Sequence, residues 1–178
     1  MRRREGGGLL GGGGGDQGGG GPEHYKMREK LLSFGDDFWI EDDRGRRAYF
    51  VDGKAVRVRQ TLVFKDADRR QELATIKEKL ANIRDTMEIE RDGRPLAKVK
   101  KAMITPVRER YSIELAGGGE MEAKGNILDH EYTIERDGRK VAEASKKWFR
   151  VADTYGIEIA SGEDAVLLLA AVVIIDSM

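Results

Sequence analysis

The chain has no cysteine, only two histidines and only three prolines among its 178 residues. The lack of cysteine excludes disulfide bonds, thiolate catalysis and cysteine-ligated zinc. His24 lies beside a glycine-rich stretch, so only His130 falls well inside the predicted domain, and one histidine does not make an ordinary zinc site. Net charge is absent too, since 32 Lys and Arg offset 32 Asp and Glu. We therefore expect no metal, no cofactor and no nucleic-acid partner.

Glycine is concentrated at the start of the chain, where it supplies twelve of the first 21 residues. Such a stretch buries too little apolar surface to offset the entropy of ordering it. It also lacks the apolar run of roughly 7–15 residues that a secretory signal needs. We expect residues 1–24 to form a disordered tail and residues 25–178 to form one domain, with Met27 as a hypothetical natural start.

The hexapeptide IERDGR occurs twice, at residues 89–94 and 134–139. Asp-Gly between alternating apolar and polar residues is typical of a type I′ hairpin turn, which needs positive φ at both central residues. Each copy belongs to a three-strand meander, and the same turn signal stands at Asp52-Gly53. About a dozen short runs of this kind predict a mainly β fold, either an antiparallel barrel or a sandwich, with two related halves.

Two segments depart from the alternating pattern. Residues 71–82 have Leu73, Ile76 and Leu80 at helical spacing, but their place between strand runs favours a strand near residues 73–77. Residues 165–175 are all apolar, and as a helix they would span roughly 16 Å, too short for a bilayer core of roughly 30 Å. We expect a helix buried in the lumen of the barrel, capped by Ser161 with Asp164, although β-branched residues leave a central strand open.

Basic residues cluster in each repeat and provide the candidate ligand site. Lys98 and Lys100 fall on one face of a predicted strand, and Lys146 and Lys147 precede Trp148. Together they are candidates for binding anionic lipid headgroups or other phosphates. The alternative is that these lysines only keep the outside of the barrel soluble, because acids are interspersed among them.

The order of the motifs resembles the LURP-one-related proteins. The resemblance covers about residues 30–178 and is most specific in residues 153–176, where DTYGIEI precedes an acidic turn, the apolar run and a closing Asp176. These proteins are similar to the tubby C-terminal domain and to phospholipid scramblases. The resemblance implies a closed barrel of twelve strands, in two related halves, around one hydrophobic C-terminal helix.

The resemblance is less specific for function. Tubby domains bind phosphoinositides, whereas scramblases are linked to calcium and carry fatty acyl groups. The scramblase calcium segment would fall on residues 153–164, where the carboxylates do not have the spacing of a calcium loop. The absence of cysteine removes the acylated segment.

Three functions remain open. The first is a soluble, cytoplasmic, non-enzymatic binding or scaffold module that associates with anionic lipid at a membrane surface. The second is an enzyme acting on a small molecule through Asp153, Glu158 or His130, although His130 is expected to be a solvated turn residue. The third is a purely structural domain that binds a protein partner.

Overall fold

The barrel is formed by strands that each pair with their neighbours in the sequence. The computed structural model describes residues 20–28, 37–56, 59–79, 86–102, 109–148 and 153–178. The strands are β1 (Glu23–Arg28), β2 (Phe38–Asp42), β3 (Arg47–Val56), β4 (Arg59–Asp66), β5 (Glu72–Glu78), β6 (Thr86–Arg91), β7 (Arg94–Lys101), β8 (Glu109–Leu115), β9 (Glu120–Asn126), β10 (Glu131–Arg136), β11 (Arg139–Ser145) and β12 (Thr154–Ile159).

All neighbouring strands are antiparallel, and β12 closes the barrel by pairing with β1. The predicted antiparallel barrel is confirmed. The two IERDGR turns have the same backbone, with φ of 52° and 72° at Asp92 and Gly93 and of 51° and 75° at Asp137 and Gly138. Positive φ at both central residues is the predicted type I′ geometry. The repeated hexapeptide is therefore a hairpin turn used twice.

The lumen is filled by the helix α1 (Ala165–Ser177), which packs against β5, β6, β7 and β12. Every residue from Leu167 to Ile175 is buried, so the helix has no solvent-facing side, as an apolar helix surrounded by a core requires. The predicted central helix is confirmed. Among the described residues, no helix is both long and apolar enough to cross a membrane.

The cap of α1 differs from the prediction. Asp164, rather than Ser161, is the N-cap residue, and its Oδ1 accepts a hydrogen bond from the backbone N of Leu167 at 3.0 Å. Ser161 is exposed in the preceding turn. Asp164 is better placed because it directly precedes the first helical residue, where a side-chain oxygen reaches the free backbone N–H groups.

Two local predictions have opposite outcomes. Asp52-Gly53 is not a turn, because both residues lie inside β3 and pair with Val63 and Leu62 of β4. Asp52 also accepts a hydrogen bond from Lys65 Nζ at 2.7 Å, so strand pairing prevails over the turn preference. The strand predicted near residues 73–77 is confirmed as β5, and Ala74 and Ile76 face the core. The predicted disordered tail falls mainly on residues 1–19, outside the described residues.

The helix gives the barrel two distinguishable ends. At the Asp164 end, α1 begins beside both Asp-Gly turns. At the Asp176 end, α1 finishes beside the start of β10 and the turn between β9 and β10, residues 127–130. The short 3-10 helix Lys146–Trp148 follows β11 at the same end, where the Lys146 backbone N donates to Glu131.

Candidate functional site

A buried polar cluster lies at the Asp176 end. The side chain of Asp176 has no solvent exposure, although it is an acid. Its Oδ1 accepts a hydrogen bond from the Tyr132 hydroxyl at 3.2 Å, and its Oδ2 accepts one from the Tyr155 hydroxyl. Burial raises the pKa of Tyr132, and the nearby charge of Asp176 adds to the effect. Tyr132 therefore stays protonated and remains a donor, which is what a buried carboxylate requires.

His130 completes this cluster from the β9–β10 turn. Its ring stacks on Tyr155 with centroids 4.3 Å apart, and its Nδ1 lies 3.3 Å from Asp176 Oδ1. The side chain is 13% exposed, and the backbone has a φ of 51°. The prediction that His130 is a solvated turn residue is wrong, because the end of α1 lies under the turn and the imidazole packs onto it. Stacking on Tyr155 holds the β9–β10 turn against the core, although the buried His130 Nδ1 has no hydrogen-bond partner among the described residues.

Glu131 organises the surface next to this cluster. Its carboxylate accepts hydrogen bonds from the Ser145 hydroxyl and the backbone N of Lys146, both at 3.0 Å, and pairs with Lys147 Nζ at 3.0 Å. Desolvation acts to raise the pKa of Glu131, but the bonds from Lys147, Ser145 and the Lys146 backbone outweigh it, so this pKa lies below its ordinary value. The ionised carboxylate of Glu131 thus positions the backbone of Lys146 and the side-chain amine of Lys147.

Two large apolar side chains are exposed on segments that begin at this end of the barrel, the β9–β10 turn and the 3-10 helix after β11. Leu128 in the β9–β10 turn is 81% exposed, and Trp148 after β11 is 40% exposed. They are the large hydrophobic residues that the described part of the chain leaves exposed. The side chain of Lys147 is 81% exposed and pairs with Glu131, and the indole of Trp148 lies edge-on to the ring of His24 in β1, with 6.3 Å between centroids. The Leu128, Lys146, Lys147 and Trp148 side chains are called the docking surface below.

The predicted lysines are not gathered into one patch. Lys98 and Lys100 face outward from β7, because Ala97 and Val99 point into the core. Strands β8, β9 and β10 separate β7 from β11, which leads to Lys146 and Lys147. Lys100 Nζ is paired with Glu114 at 2.5 Å. The structure therefore presents two separate lysine pairs, and their binding of an anion stays a prediction.

The residues of the predicted enzyme site face different environments. Glu158 is on the outside of β12, where it pairs with Lys140 Nζ at 3.2 Å, while its neighbours Ile157 and Ile159 face the core. Asp153 is exposed just before β12. His130 packs under its turn against Asp176. Glu158 and His130 thus lie on opposite sides of the barrel wall.

A cleft of about 610 Å³ lies at the Asp164 end, beside the second Asp-Gly turn. Its lining includes Arg136, Arg139, Lys140 and Glu163. Arg136 Nη2 is paired with Glu163 at 2.5 Å, and Lys140 is paired with Glu158, so most of its charge is already matched. Within the described residues, Arg139 makes no ion pair. The lining of the cleft also lacks the large exposed apolar side chains that the described residues carry at Leu128 and Trp148.

Sequence reasoning missed the buried cluster and Leu128. The only available signal was Asp176, an acid that closes an otherwise apolar run. An acid at the end of a buried helix needs donors, and tyrosines at inward positions can provide them. Which tyrosines donate could not be identified from the sequence, because Tyr132 is 44 residues from Asp176.

Known proteins resemble this chain over most of its length. The sequence model of the LURP-one-related family matches residues 23–176. The uncharacterized protein YxjI of Bacillus subtilis is 28% identical over 151 residues, which are 84% of this chain and 90% of that protein. The fold is similar to the X-ray structure of a protein from Arabidopsis thaliana, with a TM-score of 0.67 and 18% identity over 87% of this chain and 90% of that one.

Proposed function

The chain belongs to the LURP-one-related family, and we propose that it is a non-catalytic binding module whose docking surface associates with anionic lipid headgroups. The observation that carries this proposal is the exposed Leu128 in the β9–β10 turn close to Lys147, whose Nζ lies 3.0 Å from Glu131 at the end of that turn. Tryptophan is favoured at membrane interfaces, and each lysine close to an anionic surface contributes about 1 kcal/mol. Lys98 and Lys100 lie elsewhere on the barrel and are secondary candidates.

The pairing of Lys147 with Glu131 is compatible with this role. The lysine side chain is mostly solvated, and exposed ion pairs of this kind contribute roughly 0–1 kcal/mol. A phosphate group can therefore approach Lys147 at little cost. We propose no reaction, because the predicted enzyme residues Glu158 and His130 face opposite sides of the wall.

Co-sedimentation with vesicles tests the proposal. The protein is expected to bind vesicles that contain an acidic phospholipid and to bind neutral vesicles weakly, with binding that falls as salt rises. Lys146→Ser with Lys147→Ser should weaken binding about tenfold or more, since two lysines near the surface are lost. Equal and negligible binding to both kinds of vesicle would overturn the proposal.

The chain offers a matched control at the opposite end of the barrel. Arg94 and Arg139 are the first residues of β7 and β11 and are exposed at the Asp164 end. Arg94→Ser with Arg139→Ser removes the same charge but should leave vesicle binding nearly unchanged. If both double variants weaken binding equally, net charge rather than the docking surface is responsible.

A further inference from the structure

We propose that the β9–β10 turn is a rigid hydrophobic anchor that inserts the Leu128 side chain into the boundary between headgroups and acyl chains of a bilayer. This inference rests on the proposed function, because it names the part of the docking surface that enters the membrane. The starting observation is that Leu128 is 81% exposed while the preceding residue, Ile127, is buried in the core. The turn thus presents one apolar side chain outward from a fixed base.

Hydrogen bonds hold the turn in this shape. The backbone N of His130 donates to the Ile127 carbonyl at 3.0 Å. Asn126 Nδ2 donates to Asp129 Oδ2 at 2.6 Å, and the Asp129 backbone N donates to Asn126 Oδ1 at 3.2 Å. The Asp129 carboxylate is therefore engaged with Asn126 within the turn.

The buried cluster of His130, Tyr155 and Asp176 packs against the core side of the turn. His130 stacks on Tyr155 and lies against Asp176, the acid that ends the buried helix. A turn fixed to the core before docking loses little conformational entropy when it binds, so more of the transfer free energy of Leu128 is available for affinity. A mobile apolar loop of the same composition would lack this advantage.

The neighbouring chemistry fits a bilayer better than a protein groove. Glu131, three residues after Leu128, pairs with Lys147 Nζ and accepts a hydrogen bond from the Lys146 backbone N, both at 3.0 Å, so both lysines lie near the turn and complement anionic headgroups. A single leucine flanked by charged and amphipathic residues matches the layered polarity of a membrane interface. A protein partner would be expected to meet a larger apolar patch with few charges at its centre.

The absence of cysteine from the chain allows a direct test. Leu128→Cys gives a single site for an environment-sensitive nitrobenzoxadiazole label. Its emission is expected to shift to the blue and gain intensity when acidic phospholipid vesicles are added to the full chain. Ala116→Cys, in the exposed turn between β8 and β9 at the Asp164 end, is the matched control and should show no shift.

A second set of variants measures affinity without a label. Leu128→Asn should weaken vesicle binding about ten- to a hundredfold, the range that corresponds to burying one leucine, while Leu128→Phe should retain it. Vesicle binding that is unchanged in Leu128→Asn, with no shift of the label, overturns the anchor and leaves the proposed function standing. No vesicle binding by the unsubstituted chain overturns both.

Discussion

Arg91 and Asp164 form a bidentate ion pair, with Nη1 2.8 Å from Oδ2 and Nη2 2.9 Å from Oδ1. Arg91 belongs to the first IERDGR copy, and Asp164 caps the buried helix. The second copy makes the equivalent contact one residue earlier, from Arg136 to Glu163. The arginines of the two repeated turns thus bind the start of α1 from two positions at this end of the barrel. This shared contact explains why arginine precedes Asp-Gly in both copies.

Arg91→Gln should lower the free energy of unfolding by about 1 kcal/mol. A bidentate charged pair contributes more than a single bond, but both side chains are about a third exposed and solvent screens them. Chemical denaturation measures the loss. Arg94→Gln is the control, because Arg94 lies in the same turn, is exposed and makes no ion pair within the described residues. Equal losses in the two variants would show that the pair contributes nothing.

The Asp164 cap should make stability depend on acid. Partial burial acts to raise the pKa of Asp164, but hydrogen bonds from Arg91 and from the Leu167 backbone outweigh it, so the pKa lies below its ordinary value. Because this pKa is lower in the folded state than in the unfolded state, ionised Asp164 stabilises the fold fully above about pH 5. The contribution is lost as the pH falls through the unfolded-state pKa of about 3.9 and then through the folded-state pKa. The difference in unfolding free energy between the unsubstituted protein and Asp164→Asn should therefore shrink between pH 5 and pH 2. A constant difference across this range would contradict the assignment.

Asp176→Ala should destabilise the protein by about 3 kcal/mol, because the hydroxyls of Tyr132 and Tyr155 would then be buried without their acceptor. Asp176→Asn keeps an acceptor oxygen and should cost less. Thermal unfolding followed by circular dichroism measures both. Ser177→Ala, on the same turn of the helix, removes only a hydrogen bond to the Ile174 carbonyl and should be nearly neutral. A similar loss in Ser177→Ala would mean that the helix end, rather than the carboxylate, is responsible.

Gly125→Ala should destabilise the barrel more than Gly138→Ala. A Cβ at Gly125 would lie 2.5 Å from the Glu131 carbonyl oxygen and 2.7 Å from Tyr132 Cα, and the φ there is 142°. We expect a loss of about 2–4 kcal/mol from strain and overlap together. Gly138 has a φ of 75° but open space around it, so its substitution should cost about 1 kcal/mol. Urea unfolding of the two variants compares them directly, and the opposite order would contradict the prediction.

Local patterns were sufficient for much of the fold. Alternating strands, Asp-Gly turns and one wholly apolar run each encode their structure within a few residues. β5 shows the limit of such signals, since its residues favour a helix and become a strand because Ala74 and Ile76 can then face the core. Asp52-Gly53 shows the opposite error, since a strong turn signal yields to pairing with β4.

The site was less accessible to sequence reasoning, because it depends on contacts between distant residues. Arg91 and Asp164 are 73 residues apart, and Tyr132 and Asp176 are 44 apart. The basic residues were visible in the sequence, but their distribution over separated strands depends on the order of strands around the barrel. The sequence around Leu128 does not show that its side chain is exposed, because the adjacent apolar residue, Ile127, is buried.

Helix α1 follows the twelve described strands, so the wall of the barrel is synthesised before the residues that fill it. Until α1 emerges, side chains such as Ile89 and Ile134 have no central partner and present apolar surface to the cell. Closure also requires β12 to pair with β1, where Met27 lies opposite Tyr155, which comes 128 residues later in the chain. The barrel can therefore reach its packed form only after α1, which is synthesised after β12, has been added to the chain.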